Sequence, residues 1–179
     1  MVAKPAVLVP VLFLVVTVLF LQGCRNEITK KSGYDWPQRR GPKNNGISEE
    51  TGWNPGSFNA GVRVLWTTNV GSGYSDVAVK NGRVYSAGTV EGALVVWCLR
   101  EDDGKVIWKN RFQGILESQS TPTVGEDSIY LLSKNGILLC LNVKNGKLRW
   151  RKDIVSEYGA VPPVHGYAGS PVLEGNLVL

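Results

Sequence analysis

The 179-residue sequence contains only three cysteines, one histidine and one methionine, which restricts the kinds of site it can hold. Cys98 and Cys140 have no second ligand at the C-x-x-C spacing of a zinc centre. His165 has no evident partner for acid–base or metal chemistry. Apart from Lys30-Lys31 and Arg39-Arg40 we find no basic stripe with interleaved aromatics, so the net charge of +5 indicates ordinary solubility and not nucleic-acid binding.

Long amphipathic helices are also missing from the sequence. Outside the N-terminal apolar run, no window of the length of a repeat keeps apolar residues at i, i+3, i+4 and i+7 without a glycine or proline. The composition, with 43% hydrophobic and 20% charged residues, is still that of a globular domain. Its apolar residues fall in short runs separated by turns such as Asn81-Gly82 and Asn145-Gly146. Asn-Gly between such runs predicts β-hairpins, so we expect an all-β fold.

One stretch occurs twice, from Cys98 to Trp108 and from Cys140 to Trp150. Both copies read Cys-Leu, four mixed residues, Gly-Lys, two more residues and Trp. Trp66 precedes Trp108 by the same 42 residues that separate Trp108 from Trp150. A period in the forties predicts propeller blades of four short strands. We expect each tryptophan to dock between adjacent blades, while Gly104 and Gly146 permit the turns that bring the rings there.

The repeat places the predicted blades along the chain, after an ordered loop segment at 34–60 that is rich in turn formers. The strand-like run Val62 to Trp66 is interpreted as the last strand of a blade. The propeller portion is predicted at 61–179, with repeats at about 61–70, 75–110, 120–154 and 169–179. The last copy stops inside a strand, and a repeat array needs protected ends, so we expect a fragment of about two to three blades.

The two repeat cysteines hold the same position in successive copies. Equivalent positions in neighbouring sheets lie roughly 10 Å apart, which exceeds the Cα separation of about 7 Å that a disulfide tolerates. We therefore expect Cys98 and Cys140 to be small buried residues without a chemical role.

The N-terminus has the layout of an export signal, predicted at residues 1–23. Its uncharged run ends at Leu21, and Gly23 and Cys24 then resemble a bacterial lipobox, in which Gln22 is unusual. Cys24 is accordingly predicted to be lipidated, with 24–33 as a polar tether. The alternative is an uncleaved anchor. Both predictions place the protein outside the cytoplasm, held by a membrane in the periplasm or at the outer membrane.

The repeat Cys-Leu-x-x-x-x-Gly-Lys-x-x-Trp resembles the tryptophan-docking repeat of the pyrroloquinoline quinone (PQQ)-like β-propellers. That family usually has Asp and Thr where this chain has Arg100 and Asp103 in one copy and Asn142 and Asn145 in the other. The segment beginning Asp35-Trp36-Pro37-Gln38 also resembles exported bacterial members of the group. The resemblance implies an all-β propeller of four-stranded antiparallel blades.

The same resemblance implies two classes of function. Quinoprotein dehydrogenases hold PQQ and calcium, whereas cofactor-free members include a protein-binding lipoprotein of the outer-membrane assembly machinery. No two cysteines here are adjacent, as they are in the quinone enzymes, and the acidic residues share no pattern. We therefore expect a non-catalytic envelope scaffold that binds proteins, with no evident cofactor or metal and no obligate oligomer. The alternative is a PQQ- and calcium-dependent alcohol or sugar dehydrogenase.

Two further sets of residues are candidates for ligand contact. The loops that enter the innermost strand of each blade should converge on one mouth of the channel. Their polar side chains are Tyr74, Ser75, Gln119, Ser120, His165, Tyr167 and Ser170. These side chains either form a polar pocket or satisfy backbone groups where the blades begin. A third hypothesis is an exported module that binds carbohydrate or another polymer. In that case Trp36 and Trp53 would be exposed and would stack on sugars.

Overall fold

A computed structural model describes residues 35–52 and 54–179. They form two four-stranded antiparallel sheets and a two-stranded hairpin, so the predicted all-β class is confirmed. The predicted signal, tether and lipidated Cys24, together with Trp53, lie outside the described residues. Within the described part, no helix is long and apolar enough to cross a membrane.

The first sheet has its four strands in chain order, each antiparallel to the next. They are β1 (Ala78–Lys80), β2 (Arg83–Val90), β3 (Ala93–Arg100) and β4 (Val106–Phe112). The turn between β1 and β2 has positive φ at both Asn81 and Gly82, the backbone geometry that Asn-Gly adopts most readily in a two-residue hairpin. Strand β3 is buried from Ala93 to Leu99 because both faces of the sheet are covered.

The second sheet repeats this order. Its strands are β5 (Thr123–Val124), β6 (Ser128–Leu132), β7 (Ile137–Asn142) and β8 (Leu148–Asp153), followed by helix α1 (Ile154–Tyr158) and the hairpin β9 (Leu173–Glu174) and β10 (Leu177–Val178). The register is equivalent as well. Cys98 lies between Tyr85 and Trp108 on neighbouring strands, and Cys140 lies between Tyr130 and Trp150. A β-bulge follows each cysteine, so the sequence repeat is a structural repeat.

Each docked tryptophan rests on the next turn of the repeat. Trp108 donates from Nε1 to the Val143 carbonyl at 3.2 Å, and a Cβ on Gly146 would lie 2.4 Å from its ring. Trp66 makes the matching bond to the Glu101 carbonyl at 2.8 Å and covers Gly104. Both glycines have positive φ, at 67° and 66° respectively, which an L side chain rarely adopts. The absence of a side chain lets each ring approach the backbone.

The interpretation of Val62 to Trp66 as a strand is wrong. No strand is assigned there, although Trp66 is docked. The side chains of Val62, Val64 and Leu65 are exposed. An extended run becomes a strand only when a neighbour accepts and donates its backbone hydrogen bonds, and no described segment does so here.

The segment before the first sheet is held by backbone hydrogen bonds. Trp36 exchanges a pair with Val79 of β1, at 2.8 and 2.9 Å, and the Pro37 carbonyl accepts from Val124 of β5. The Trp36 ring packs over Gly41, which is buried and has φ 76°. The ring is half-buried because it covers Gly41. It is therefore not exposed for stacking on sugars, as the carbohydrate-binding hypothesis required. A 3-10 helix at Pro55–Ala60 follows.

Both repeat cysteines are free and buried. Burial raises the pKa of the Cys98 thiol to about 11, with the Arg83 charge acting in the opposite direction. Burial likewise raises the pKa of the Cys140 thiol. A thiol that stays protonated at neutral pH is a poor nucleophile, so these side chains act as small apolar groups in the core.

Candidate functional site

The loops that precede β1, β5 and β9 meet at one end of the sheets around an open cleft of about 530 Å³. The residues that line it are Tyr74, Glu117, Gln119, Lys134, His165 and Ala168. Three of the seven side chains proposed from the sequence, Tyr74, Gln119 and His165, are therefore brought together, one from each loop. Tyr74 and His165 are exposed, and Gln119 is half-buried.

Glu117 and Lys134 were not identified from the sequence. Lys134 Nζ lies 3.1 Å from Glu117 Oε1, and the Lys134 amide donates to the Glu117 carbonyl at 2.9 Å. Seventeen positions separate the two residues, and only the fold of the β6–β7 turn against the preceding loop joins them. No motif in the sequence signals that contact. The pair gives the cleft a charged floor with no net charge.

The three candidate serines serve the backbone instead of the cleft. Ser75 Oγ donates to the Ser120 carbonyl at 2.9 Å, which joins the first loop to the second. Ser170 Oγ accepts from the Thr121 amide at 2.9 Å, which joins the second loop to the third. Ser120 is fully buried, and its Oγ donates to the Leu132 carbonyl at 2.8 Å.

Tyr167 also points away from the cleft. Its amide donates to the Lys134 carbonyl at 2.9 Å, while its ring packs over Gly136. Its hydroxyl is buried and has no hydrogen-bond partner in the described structure. Four of the seven proposed residues thus hold the loops in place, and three face a potential ligand.

Replacing Ser120 by alanine tests whether this fully buried serine supports the backbone more strongly than the half-buried Ser75. Leu132 N–H donates to Ser120 Oγ at 3.1 Å and would lose that acceptor, while the Leu132 carbonyl would keep its bond from Ser118. We expect Ser120→Ala to lower the free energy of unfolding by about 1–3 kcal/mol, measured by urea denaturation. Ser75→Ala, at a half-buried site, should lower it by less than about 1 kcal/mol. Equal effects would contradict the assignment.

The donor set of the cleft does not suit a quinone held by calcium. Calcium takes six to eight oxygen ligands, with carboxylates prominent among them. Glu117 is the single carboxylate on the cleft wall, and it is paired with Lys134. Among the described residues no group of three or more histidine, cysteine, aspartate or glutamate side chains could hold a metal ion.

Exposed apolar side chains lie in the loops that form the polar cleft. The loop after α1 exposes Val161 at 86% and Val164 at 97%, and Val164 is adjacent to His165 of the cleft wall. Leu116, next to Glu117, is also exposed, as is Tyr74. Large exposed apolar side chains around a polar centre are typical of protein-binding surfaces. We name Tyr74, Leu116, Val161 and Val164 the apolar rim.

Most of the repeat region matches a family of known proteins. A family model for PQQ-type repeats, described as outer membrane protein assembly factor BamB, matches residues 57–179, more than half of the chain. The chain belongs to this family. The outer membrane protein assembly factor BamB of Xanthomonas campestris pv. campestris is 29% identical over 123 residues, covering 59% of this chain and 29% of that protein.

Solved structures show that this BamB-family chain shares the propeller fold of larger enzymes. The quinohemoprotein alcohol dehydrogenase of Comamonas testosteroni matches 80% of this chain and 22% of its own, with 17% identity and a TM-score of 0.60. The quinohemoprotein alcohol dehydrogenase ADHIIG of Pseudomonas putida HK5 matches 65% of this chain and 18% of its own, with 20% identity and a TM-score of 0.52. The chain spans less than a third of the length of each relative named here.

Proposed function

We propose that this chain is part of a non-catalytic propeller of the cell envelope that binds another protein at the mouth of its channel. The observation that carries the proposal is the apolar rim, a set of exposed valine, leucine and tyrosine side chains in the loops that form an electrically balanced cleft. Such a surface gains free energy when a partner covers it, and the polar floor can hydrogen-bond a partner's backbone. The proposed partner is an outer-membrane assembly protein, by analogy with the name of the Xanthomonas relative.

A membrane anchor completes the proposal. The lipobox-like Leu21-Gln22-Gly23-Cys24 would attach the protein to a membrane through a lipid on Cys24, in the periplasm or at the outer membrane. Anchoring raises the local concentration of the mouth loops near membrane-bound partners, which favours binding without any new contact.

Val164→Asp tests the function at the rim. A carboxylate at a side chain that is 97% exposed should leave the folded protein unchanged, but it would have to be desolvated when a partner covers the site. With the full chain produced in its own cells, we expect the amount of co-purified envelope assembly protein to fall about tenfold, which corresponds to about 1.4 kcal/mol. Quantitative mass spectrometry measures that amount.

Val62→Asp is the matched control, because Val62 is also an exposed valine and lies outside the rim. It should reduce the recovered partner less than about twofold. Equal losses from both variants would contradict binding at the mouth. PQQ- and calcium-dependent oxidation of an alcohol with a dye acceptor would instead support the dehydrogenase alternative.

A further inference from the structure

A second cleft, at the turn end of the two sheets, carries an excess of positive charge. It has a volume of about 210 Å³ and is lined by the β1–β2, β5–β6 and β7–β8 turns. Its charged side chains are Lys80, Arg83, Lys144 and Glu126. Three cations and one carboxylate leave this small volume with a net charge of +2. The mouth cleft, by contrast, contains a balanced ion pair.

Two of the three positive side chains are held in place by the fold. Lys80 is largely buried, with 14% of its side chain exposed, and its Nζ lies 2.7 Å from Oε1 of the exposed Glu126. Arg83 extends from the start of β2 across the gap between the sheets, where Nη1 lies 3.4 Å from the Val143 carbonyl. Arg83 and Lys144 form no ion pair with a carboxylate of the described residues. Both charges are therefore available to an anionic ligand.

The floor of this cleft is formed by Tyr85, which is 1% exposed. Its ring packs against Trp108 with centroids 6.2 Å apart, so the aromatic core supports the cleft from below. The Arg83 guanidinium and the Lys144 ammonium group are charged donors that together suit a tetrahedral oxyanion. A net charge of +2 matches a dianionic phosphate, and the volume leaves room for a small substituent on it.

We propose that this cleft binds a phosphate monoester, with Arg83 and Lys144 as its principal ligands and Lys80 as a supporting charge. The site lies at the opposite end of the sheets from the mouth loops and does not depend on the proposed partner binding. Either a soluble phosphorylated molecule or the phosphate of a lipid headgroup presents this chemistry.

Isothermal titration calorimetry of the full chain with glycerol 3-phosphate, in a buffer free of phosphate and sulfate, tests the site. We expect saturable binding at one site, and glycerol should not bind. Arg83→Gln and Lys144→Gln should each weaken the affinity about tenfold, the effect of losing one charge-assisted hydrogen bond. Lys147→Gln is the matched control. It removes the same charge from the same turn, but Lys147 does not line the cleft, so the affinity should change less than about twofold.

A flotation assay separates the two sources of the phosphate. Vesicles of phosphatidylcholine with phosphatidic acid should recruit the chain if the site reaches a headgroup, and Lys144→Gln should reduce that recruitment. Recruitment without such a loss would assign the site to soluble phosphates alone. The absence of saturable binding to glycerol 3-phosphate, or equal losses from Lys144→Gln and Lys147→Gln, would overturn the proposal. If Arg83→Gln disturbs Tyr85 and the folding of the protein, Lys144→Gln still tests the proposal. The Lys144 side chain is exposed, so its replacement should not affect folding.

Discussion

Replacing Trp108 by alanine is expected to lower the free energy of unfolding by about 3–5 kcal/mol, the range for a buried tryptophan. The ring is 8% exposed and belongs to the core shared by the two sheets. It also donates to the Val143 carbonyl and packs against Tyr85. Removing it leaves a cavity at the seam between the sheets, and the Val143 carbonyl keeps only its longer bond from Arg83. Urea denaturation followed by circular dichroism measures the loss.

Trp150→Ala is the matched control, since it removes the same side chain from the equivalent position of the next repeat. Trp150 is 39% exposed, and no described turn receives its ring as the Val143–Gly146 turn receives Trp108. It keeps its contact with Tyr130, at 6.0 Å between centroids. We expect a loss of about 1–2 kcal/mol, because less apolar surface is returned to water. Equal losses would show that stability does not depend on docking.

The fold was predictable from the sequence because its repeat is made of residues with local roles. Cysteine, glycine and tryptophan recur at fixed spacing, and each spacing corresponds to one strand pairing or one turn of the structure. Asn81-Gly82 specifies its hairpin through φ alone. The run Val62 to Trp66 was mispredicted because alternating apolar residues indicate an extended backbone. They do not show whether a neighbouring strand is present to form the hydrogen bonds of a sheet.

The mouth cleft was only partly predictable. Tyr74, Gln119 and His165 could be proposed because each lies in a loop that leads into the innermost strand of a blade. Such loops converge in any propeller. The Glu117–Lys134 pair could not, because it depends on how two loops of unequal length cross. The sequence left two roles open for the serines, since a hydroxyl beside a strand start can contact a ligand or serve a backbone group equally well, and in the structure they bond to the backbone.

Gly146→Ala is expected to be as disruptive as the loss of the tryptophan it supports. At φ 67° an alanine costs about 1–2 kcal/mol. Its Cβ would also lie 2.4 Å from the Trp108 ring, far inside normal carbon contact at about 3.5–4.0 Å. Displacing the packed ring adds about 1–3 kcal/mol, so the total should be about 2–5 kcal/mol. Gly114→Ala separates these contributions, because Gly114 has φ 70° with nothing within 4 Å of a Cβ. It should show the backbone contribution alone.

The double variant links the two predictions. With Trp108 already replaced by alanine, Gly146→Ala no longer meets a ring and should cost only about the 1–2 kcal/mol of its backbone. The two single losses should therefore exceed the loss in the double variant by about 1–3 kcal/mol, measured from urea denaturation of all four proteins. Asn110 Nδ2, which donates to the Asn145 carbonyl at 3.0 Å, also lies 2.6 Å from the Cβ position, but alanine displaces it with or without the Trp108 ring, so its contribution cancels in this comparison. Additivity within about 0.5 kcal/mol would mean that ring and glycine are not in contact in solution, and that the repeat is stabilised by its strands alone.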